Sequence, residues 1–454
     1  MTSIITRFAP SPTGNLHIGS ARTALVNFII SEQNPSSKFY LRIEDTDKER
    51  SKPEFEENII SGLKWIGLKW EKQIQIQSHR IKRHQEIAYK LLENKLAYKC
   101  VCSEEKLNER RILLKQNKIS SKKICKECKD NNEVQLLKEG FVIRIKLPDE
   151  GIIKVEDKVQ GTIEILNKEL DDYIILRNDK TPTYMLSVVV DDNDLGVNFI
   201  IRGDDHLNNT FRQIYIYKYL NWNIPIYAHI PLIHGEDGSK LSKRHGAVDV
   251  LEFKKSGYLS EAVINNLILL GWSPGKENEL VKLDEIVKNF DINKLSKSSS
   301  IFSYEKLNFL NNFYLRQDEG FEKFVEFCQN NEKLKKLIYI NENKVNRIFH
   351  VYKKDLNKFS DILNIIDVYF DDKYSYDKNE KFNDSFNDLF FDFISLISNI
   401  DVWDKENIQL NISKFLETKK VKFPVLGKPI RFLLINSFNG PSITDIFIIL
   451  GKKD

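Results

Sequence analysis

The sequence predicts an α/β protein whose parallel sheet comes from two separated parts of the chain and is followed by a helical region. Three observations lead to this prediction. Strand-like and helix-like segments alternate through the first hundred residues, as they do where helices connect parallel strands. A different pattern interrupts this alternation between about 98 and 185, and strand patterns fade after about residue 260.

The first elements are a predicted strand at Ile4–Phe8, a helix from about Leu16 to Ile30 and a second strand at Phe39–Ile43. Apolar residues of the helix recur with the period of one helix face, which predicts that this face packs on the sheet. These residues are Ile18, Ala21, Leu25, Phe28 and Ile29.

The segment from about 98 to 185 is interpreted as an insertion. It holds a cysteine cluster, a Lys-rich helical piece at Glu104–Lys118 and short strands such as Phe141–Lys146. Three later strands would complete the interrupted sheet, and they are predicted at Leu186–Val190, Phe199–Ile201 and Tyr227–Ile233.

The remaining chain, from about Ser260, is rich in Leu, Ile, Phe, Lys and Asn at helical spacing, as in Ser385–Ile400. We therefore expect the C-terminal third to be all helical. A length of 454 residues suggests about three domains.

The composition is that of a soluble globular protein, with 41% hydrophobic and 30% charged residues. No apolar stretch approaches the roughly 18 residues that span a bilayer, so we expect no membrane partner. Strand-like residues begin at Ile4, which leaves no room for a targeting segment and predicts a cytoplasmic protein. The 69 basic and 65 acidic residues are compatible with a nucleic-acid partner but do not argue for one.

The most informative segment, Arg7–Ser20, runs from a strand end through a Pro/Gly turn into a helix. Gly14 and Gly19 would let a ligand approach the backbone, and the helix N-terminus offers N–H groups to phosphate oxygens. His17 could donate a hydrogen bond to a developing anion. The alternative interpretation is a Pro-rich turn in which a Thr or Asn caps the helix.

A second segment, Lys240–Arg244, follows a hairpin-like turn at Gly235–Gly238. Three cations within five residues suit the neutralisation of a triphosphate as its charge moves to departing pyrophosphate. Taken alone, such a loop is more often merely solvated.

In this order, the two segments resemble the HIGH and KMSKS motifs of class I aminoacyl-tRNA synthetases, and their form is similar to that of the glutamyl and glutaminyl branch. The fourth HIGH position is Ser20 here, so the role of a second histidine must be supplied otherwise. Further segments resemble the same branch: Arg42–Asp47, Thr183–Tyr184, Val190–Asp192, Arg202–His206 and, near the chain end, Gly427–Arg431 and Gly451–Lys453.

The resemblance implies a Rossmann-type catalytic domain, an inserted domain for the tRNA acceptor end and an all-helical anticodon-binding region. The implied limits are 1–97 and 186–255 for the catalytic domain, 98–185 for the insertion, 256–320 for a helical stem-contact domain and 321–454 for anticodon binding. We expect a monomer.

The implied reaction is activation of L-glutamate by ATP, with Mg²⁺ as the partner of ATP, and transfer of glutamate to the 3′ end of tRNA(Glu). The implied catalytic residues are His17, Lys240 and Lys243. The implied ATP-binding residues are Pro10, Thr13, Gly14, His17, Gly19, Ser20, Lys240, Ser242, Lys243 and Arg244.

Arg7 and Arg202 each leave a predicted strand, so both should stand at the carboxyl edge of the sheet, where α/β folds bind ligands. Two arginines favour a substrate with two carboxylates. The resemblance implies that glutamate is bound by Arg7, Ser11, Glu44, Tyr184 and Arg202. For each arginine the alternative is an ion pair with an acidic neighbour, and His206 could be a structural histidine.

The cysteine cluster consists of Cys100, Cys102, Cys125 and Cys128. Four thiolates in two close pairs suit a tetrahedral structural zinc, and free buried thiols are the alternative. Some family members hold zinc in this insertion, commonly with His as the last ligand, so this chain departs from them in that ligand. Cys328 is expected in the core.

Other interpretations remain open. The enzyme could also glutamylate tRNA(Gln), or be specialised for it. A truncated relative that modifies a tRNA base, and small-molecule adenylyltransferases, lack the helical C-terminal part. A catalytically inactive tRNA-binding scaffold would be expected to lose His17 or Lys243, and both are present.

Overall fold

A computed structural model of the chain describes residues 3–71, 73–117, 125, 127–241, 248–275, 279–370, 382 and 384–452. The chain divides into two compact units, Met1–Lys254 with Val263–Tyr304, and Lys255–Ala262 with Glu305–Asp454. The strands belong to the first unit: β1 (Ile5–Phe8), β2 (Lys38–Ile43), β3 (Gln75–Ile76), β4 (Ala97–Cys100), β5 (Val142–Ile145), β6 (Ile152–Asp157), β7 (Gly161–Leu166), β8 (Ile174–Leu176), β9 (Phe199–Gly203), β10 (Ile226–Ile230), β11 (Ile233–His234) and β12 (Ser300–Ile301).

The parallel strands lie in the order β3-β2-β1-β9-β10. β1 pairs with β2, β2 with β3, and β9 with β10. β1 lies beside β9, where the Asn198 N–H donates to the Ile5 carbonyl oxygen at 3.2 Å. Strand order therefore reverses between β1 and β9, and open α/β sheets bind ligands at the carboxyl ends of the strands on either side of such a point.

Strands from the predicted insertion form two further arrangements. β6 and β7 form an antiparallel hairpin, and Asp157 at the end of β6 pairs with Tyr227 of β10 in parallel register. β4, β5 and β8 form a separate antiparallel sheet. The hairpin thus extends the sheet that contains β9 and β10.

The helices up to residue 289 are α1 (Ile18–Glu32), α2 (Pro53–Trp65), α3 (Ile81–Glu93), α4 (Glu104–Gln116), α5 (Asn132–Leu136), α6 (Tyr184–Asp194), α7 (Leu207–Tyr219), α8 (Val250–Lys255), α9 (Ser260–Leu269) and α10 (Leu283–Asn289). The predicted apolar face of α1 is confirmed, because all five of its residues are buried and the helix packs on β1, β2 and β9.

The predicted strand at Leu186–Val190 is wrong, because these residues lie within α6. A short and mostly apolar run carries no period that separates a buried strand from a buried helix. Here α6 packs against α3 and α7, and residues 186–192 are all buried. The strand at Phe199–Ile201 is confirmed as part of β9. The one predicted at Tyr227–Ile233 is split into β10 and β11 around Pro231, which has no N–H to donate to a strand ladder.

The helices after residue 303 are α11 (Tyr304–Leu315), α12 (Gly320–Gln329), α13 (Glu332–Tyr352), α14 (Asp367–Phe370), α15 (Asp384–Ser398), α16 (Lys405–Lys419), α17 (Phe423–Ile435) and α18 (Ile443–Leu450). They confirm the predicted helical region. Phe386, Phe393, Leu426 and Ile443 belong to a buried core shared by α15 to α18. Within the described ranges, no helix combines the length and apolar character needed to cross a membrane.

Candidate active site

A cavity of about 1500 Å³ opens in the first unit beside the switch in strand order. Its lining comes from the turn after β1, the end of β2, the start of α6 and the segments that follow β9 and β10. The cavity brings together the predicted ATP- and glutamate-binding residues that the structure describes: Arg7, Pro10, Ser11, Thr13, Gly14, His17, Gly19, Ser20, Glu44, Tyr184, Arg202 and Lys240. Ser242, Lys243 and Arg244 lie outside the described residues.

The N-terminus of α1 faces no acidic side chain of its own first turn. His17 is the capping residue, and its Nδ1 accepts from the Gly19 N–H at 3.1 Å. The interpretation in which Thr13 or Asn15 caps the helix is therefore wrong. The positive end of the helix dipole makes this terminus suitable for phosphate oxygens.

His17 can serve as a neutral hydrogen-bond donor. Because Nδ1 accepts from Gly19, the proton of a neutral ring lies on Nε2. Burial, and next the positive charge of Lys240, lower the pKa of His17. A hydrogen bond with the Leu241 backbone opposes this lowering without reversing it, so the imidazole stays neutral at pH 7.

Lys240 reaches the cavity from the predicted hairpin-like turn, which is confirmed. The Gly238 N–H donates to the Gly235 carbonyl oxygen at 2.9 Å, and His234 pairs with Lys240 across the turn. Lys240 thus enters the cavity next to the helix that His17 caps.

A buried cluster of opposite charges adjoins the cavity, which two of its members, Arg7 and Glu44, line. Arg7 Nε lies 3.0 Å from Asp192 Oδ1, and Arg42 Nη1 lies 2.6 Å from the same oxygen. Arg42 Nη2 also contacts Glu44 Oε1 at 3.0 Å. Burial raises the pKa of Glu44 even though Arg42 opposes this effect. The ion-pair alternative considered for Arg7 therefore holds, although Arg7 also lines the cavity.

Arg202 differs from Arg7 because its partners are neutral. Its Nε donates to His229 Nε2 at 3.1 Å, and its Nη1 donates to the Tyr184 hydroxyl at 3.2 Å. Its Nη2 donates to Thr210 Oγ1 at 2.7 Å and Gln213 Oε1 at 2.9 Å. Among the described residues, no carboxylate forms an ion pair with Arg202, which is only 6% exposed. A buried cation without a counter-ion is costly, so a carboxylate ligand would be favoured here.

His206 also belongs to the cavity wall. Its Nδ1 lies 3.1 Å from the Tyr184 hydroxyl. Burial and the positive charge of Arg202 lower the pKa of His206 to about 4. His206 is therefore uncharged at pH 7. It does not compete with a positively charged group of a ligand for nearby carboxylates.

Sequence reasoning assigns no role to Arg42, Asp192, Asp157 or His229. Arg42 interrupts an otherwise apolar strand, and a charged residue at such a place signals a buried, partnered group. Asp192 gave no such signal, because its neighbours were predicted to form a strand rather than α6.

Cys100 ends β4 and Cys102 follows it, whereas Cys125 and Cys128 lie beyond α4, at a turn. Sulfur–sulfur distances are 3.3 Å between Cys100 and Cys125, and 3.5 Å from Cys102 to both Cys125 and Cys128. All four sulfurs lie within 4.8 Å of one another. A tetrahedral zinc with bonds of about 2.3 Å holds its sulfurs about 3.8 Å apart, so the donor set fits such an ion. Cys328 is buried in α12, as expected.

Comparison with known proteins gives matches along the whole chain. Residues 3–309 match the family model for the catalytic domain of class I tRNA synthetases (E and Q), and residues 321–454 match an anticodon binding domain. Glutamate–tRNA ligase 1 of Rickettsia canadensis is 41% identical over 460 residues, covering 100% of this chain and 98% of the relative. Glutamate–tRNA ligase 2 of Rickettsia prowazekii is 41% identical over 463 residues, with coverages of 100% and 97%.

Solved structures give a similar result. A glutamate tRNA ligase from Elizabethkingia meningosepticum, crystallised with its amino acid, superposes with a TM-score of 0.85 at 28% identity, covering 100% of this chain and 97% of that chain. The glutamate–tRNA synthetase of Elizabethkingia anophelis gives a TM-score of 0.84 at 28% identity, with coverages of 100% and 98%.

Proposed function

The chain belongs to the class I tRNA synthetases for glutamate and glutamine, and from this membership we infer that it is a glutamate–tRNA ligase. The observation that carries the choice of amino acid is Arg202, a buried cation on the cavity wall without a carboxylate partner among the described residues. A carboxylate accepts charge-assisted hydrogen bonds from a guanidinium group, whereas the amide of glutamine turns an NH₂ toward one of its donors.

The reaction has two steps. A glutamate carboxylate oxygen attacks the α-phosphorus of ATP, forming glutamyl-adenylate as pyrophosphate leaves. A hydroxyl of the terminal tRNA ribose then attacks the carbonyl carbon, and AMP leaves. Magnesium enters with ATP as part of the substrate.

We assign the triphosphate to the N-terminus of α1. Support comes from the positive end of the α1 dipole, from the neutral imidazole of His17 and from Lys240 at the same cavity. Lys243 remains a catalytic residue by prediction, together with Ser242 and Arg244 as ATP-binding residues. The protein supplies position and preorganised charge rather than covalent chemistry.

We assign the glutamate carboxylates to Arg202 and Arg7, with Tyr184 and Ser11 beside them and Glu44 at the amino group. Arg7 shares Asp192 with Arg42, so part of its charge is already neutralised. Arg202 is therefore expected to contribute more of the carboxylate recognition than Arg7.

We also propose that the four cysteine sulfurs hold a structural zinc ion. The support is their number, their mutual distances and their burial. Zinc held by four thiolates has no open position for substrate, so its contribution would be to the folding of the inserted segment.

The division of labour among the domains remains a proposal. Residues 98–185 would bind the tRNA acceptor end, 256–320 would contact the stem and 321–454 would bind the anticodon. A monomeric state and a cytoplasmic location remain predictions.

Charging assays on separately purified tRNA(Glu) and tRNA(Gln), each with labelled glutamate, test the proposed function. We expect efficient charging of tRNA(Glu). Charging of both would identify a relaxed enzyme, charging of tRNA(Gln) alone a specialised one, and failure on both would refute the assignment and favour a tRNA-binding scaffold.

A further inference from the structure

A chain of three buried side chains runs through neighbouring strands toward the cavity. Asp157 ends β6, His229 lies in β10 and Arg202 lies in β9. Asp157 Oδ2 lies 2.6 Å from His229 Nδ1, and His229 Nε2 lies 3.1 Å from Arg202 Nε. Arg202 lines the cavity, whereas Asp157 and His229 lie behind it, 5% and 0% exposed.

The hydrogen bonds fix the tautomer of His229. Arg202 Nε–H can only donate, so His229 Nε2 must accept and carries no proton. The single ring proton then lies on Nδ1 and is donated to Asp157 Oδ2. Thr210 supports this arrangement, since its hydroxyl accepts from Arg202 Nη2 at 2.7 Å and lies 3.0 Å from His229 Nε2, to which it can donate.

Asp157 is itself fixed by the backbone. Its Oδ1 accepts from the N–H groups of Val159 at 2.9 Å, Gln160 at 2.8 Å and His229 at 3.1 Å. Burial alone would raise the pKa of Asp157, but the hydrogen bonds from His229 and from Gln160 outweigh it and hold the pKa below its ordinary value. The carboxylate is therefore ionised and has one oxygen left for His229.

We propose that Asp157 and His229 are positioning residues that aim the Arg202 guanidinium at the carboxylate of the amino-acid substrate, an inference that rests on the proposed function. Asp157 fixes the proton of His229, and His229 then offers Arg202 an acceptor on the side away from the cavity. Thr210 and Gln213 hold Nη2 of Arg202, and Nη1 is left on the substrate side, beside Tyr184. A residue of the predicted insertion thereby sets the affinity for the amino acid without touching it.

The substitution Asp157→Asn tests this chain, because it keeps the shape and changes the polarity. The Asn oxygen retains the backbone N–H groups, so its NH₂ faces His229 Nδ1 and Nδ1 must become the acceptor. The ring proton then moves to Nε2, where it opposes Arg202 Nε–H. An inverted tautomer of this kind is strongly damaging in other buried Asp–His pairs.

We expect the KM for glutamate in charging assays with saturating tRNA to rise by about tenfold or more, while the KM for ATP stays within about twofold. Asp172→Asn is the matched control, since Asp172 is a buried carboxylate of the same unit, is absent from the cavity lining and should leave both KM values unchanged. Equal KM values for glutamate in wild type and Asp157→Asn would overturn the proposal.

Two further measurements keep the test decisive if Asp157→Asn does not fold. His229→Gln can still accept from Arg202 and donate to Asp157, whereas His229→Leu can do neither, so His229→Gln should retain the lower KM for glutamate. Imidazole ¹⁵N spectra of the wild-type enzyme at pH 7 should show the Nδ1–H tautomer for His229. An Nε2–H or doubly protonated ring would overturn the proposal even if glutamate charging is normal, whereas absent charging with the Nδ1–H tautomer would refute the proposed function and, with it, the substrate role of the chain.

Discussion

Arg202 carries a positive charge that its described neighbours do not neutralise, and this explains why its replacement should affect selectivity. Replacement by Gln removes the charge that distinguishes glutamate from glutamine, two amino acids of nearly the same shape. We expect Arg202→Gln to lower kcat/KM for glutamate by at least about tenfold. The ratio of kcat/KM for glutamate to kcat/KM for glutamine should therefore fall. Steady-state charging of tRNA(Glu) with each amino acid measures this, and an unchanged ratio would contradict the role given to Arg202.

His206 links the same charge to the pH dependence of stability. Burial and Arg202 lower the pKa of His206 to about 4, below the ordinary 6.5 of an unfolded chain. The unfolded state therefore gains a proton first, and the stabilisation present above pH 6.5 is lost as the pH falls toward 4. At pH 5.5 the loss is on the order of 1 kcal/mol.

Thermal unfolding at pH 7.5 and pH 5.5 checks this linkage. The midpoint of the wild type should fall by about 2 to 4 °C more than that of His206→Gln, which has no titratable ring. Equal decreases in the unfolding midpoints of the wild type and His206→Gln would contradict this prediction. They would show that the pKa of His206 is the same in the folded and unfolded states.

At this scale the sequence predicts which residues line the site better than it predicts their partners. Arg7 and Arg202 both reach the cavity, as their positions at strand ends imply. The two arginines differ in their ion pairs, because α6 places the carboxylate of Asp192 next to Arg7. Nothing in the local sequence of either arginine indicates which acidic residue a distant helix will supply.

Helix α1 is tied to two other segments by one buried side chain. Arg22 Nη1 donates to the Pro231 carbonyl oxygen at 2.9 Å, and Nη2 donates to the Leu270 carbonyl oxygen. Arg22→Met would leave both carbonyl groups without this donor, which costs about 1–3 kcal/mol for each buried group.

We expect Arg22→Met to destabilise the first unit by about 3 kcal/mol. Arg83→Met is the control, because Arg83 is 41% exposed and its ion pairs with Asp194 and Glu86 lie at the surface, where such pairs contribute about 0–1 kcal/mol. Differential scanning calorimetry compares the stabilities of the two variants with that of the wild type. Equal losses of stability in Arg22→Met and Arg83→Met would contradict the role given to the buried Arg22 hydrogen bonds.

The inserted segment offers an element-scale test through its thiols. Protein purified without added metal should carry about one zinc per chain, and Cys128→Ser should lose it, because three thiolates bind less tightly than four. Cys328→Ser removes a thiol of the helical unit and should keep the metal. Elemental analysis decides, and less than about a tenth of an equivalent of any metal in the wild type would count against zinc.

Periodicity predicts α1 and α15 well because each presents a stable apolar face to a core. It fails for α6, where Leu186 to Val190 are all buried, including the polar Ser187, so the helix has no exposed face along this stretch. The division of β10 from β11 shows a second limit of prediction from sequence, which concerns where a strand ends. Pro231 ends the ladder within a continuous apolar run, and an isolated proline allows either an edge strand or a break.

On the scale of the whole molecule, the helical C-terminal region follows from composition and spacing, and the second unit has its own buried core. The neighbour relations of the sheet do not follow from the sequence. Which strand lies beside β1 is decided by packing between segments far apart in the chain, and no local pattern in Ile5–Phe8 points to β9.

The long separation between β1 and β9 has a consequence for synthesis on the ribosome. The Ile5 N–H donates to the Asn198 side chain across 193 residues. At about 5–20 residues per second, the ribosome needs roughly 10–40 s to supply the missing partner. Nascent chains stalled near residue 200 should therefore be cut rapidly by protease within β1 and β2, and chains stalled near 330 should resist. Equal resistance at both lengths would show that the N-terminal segments fold without β9. During translation, the free edge of β1 is then a transient site for contact with chaperones or other nascent chains.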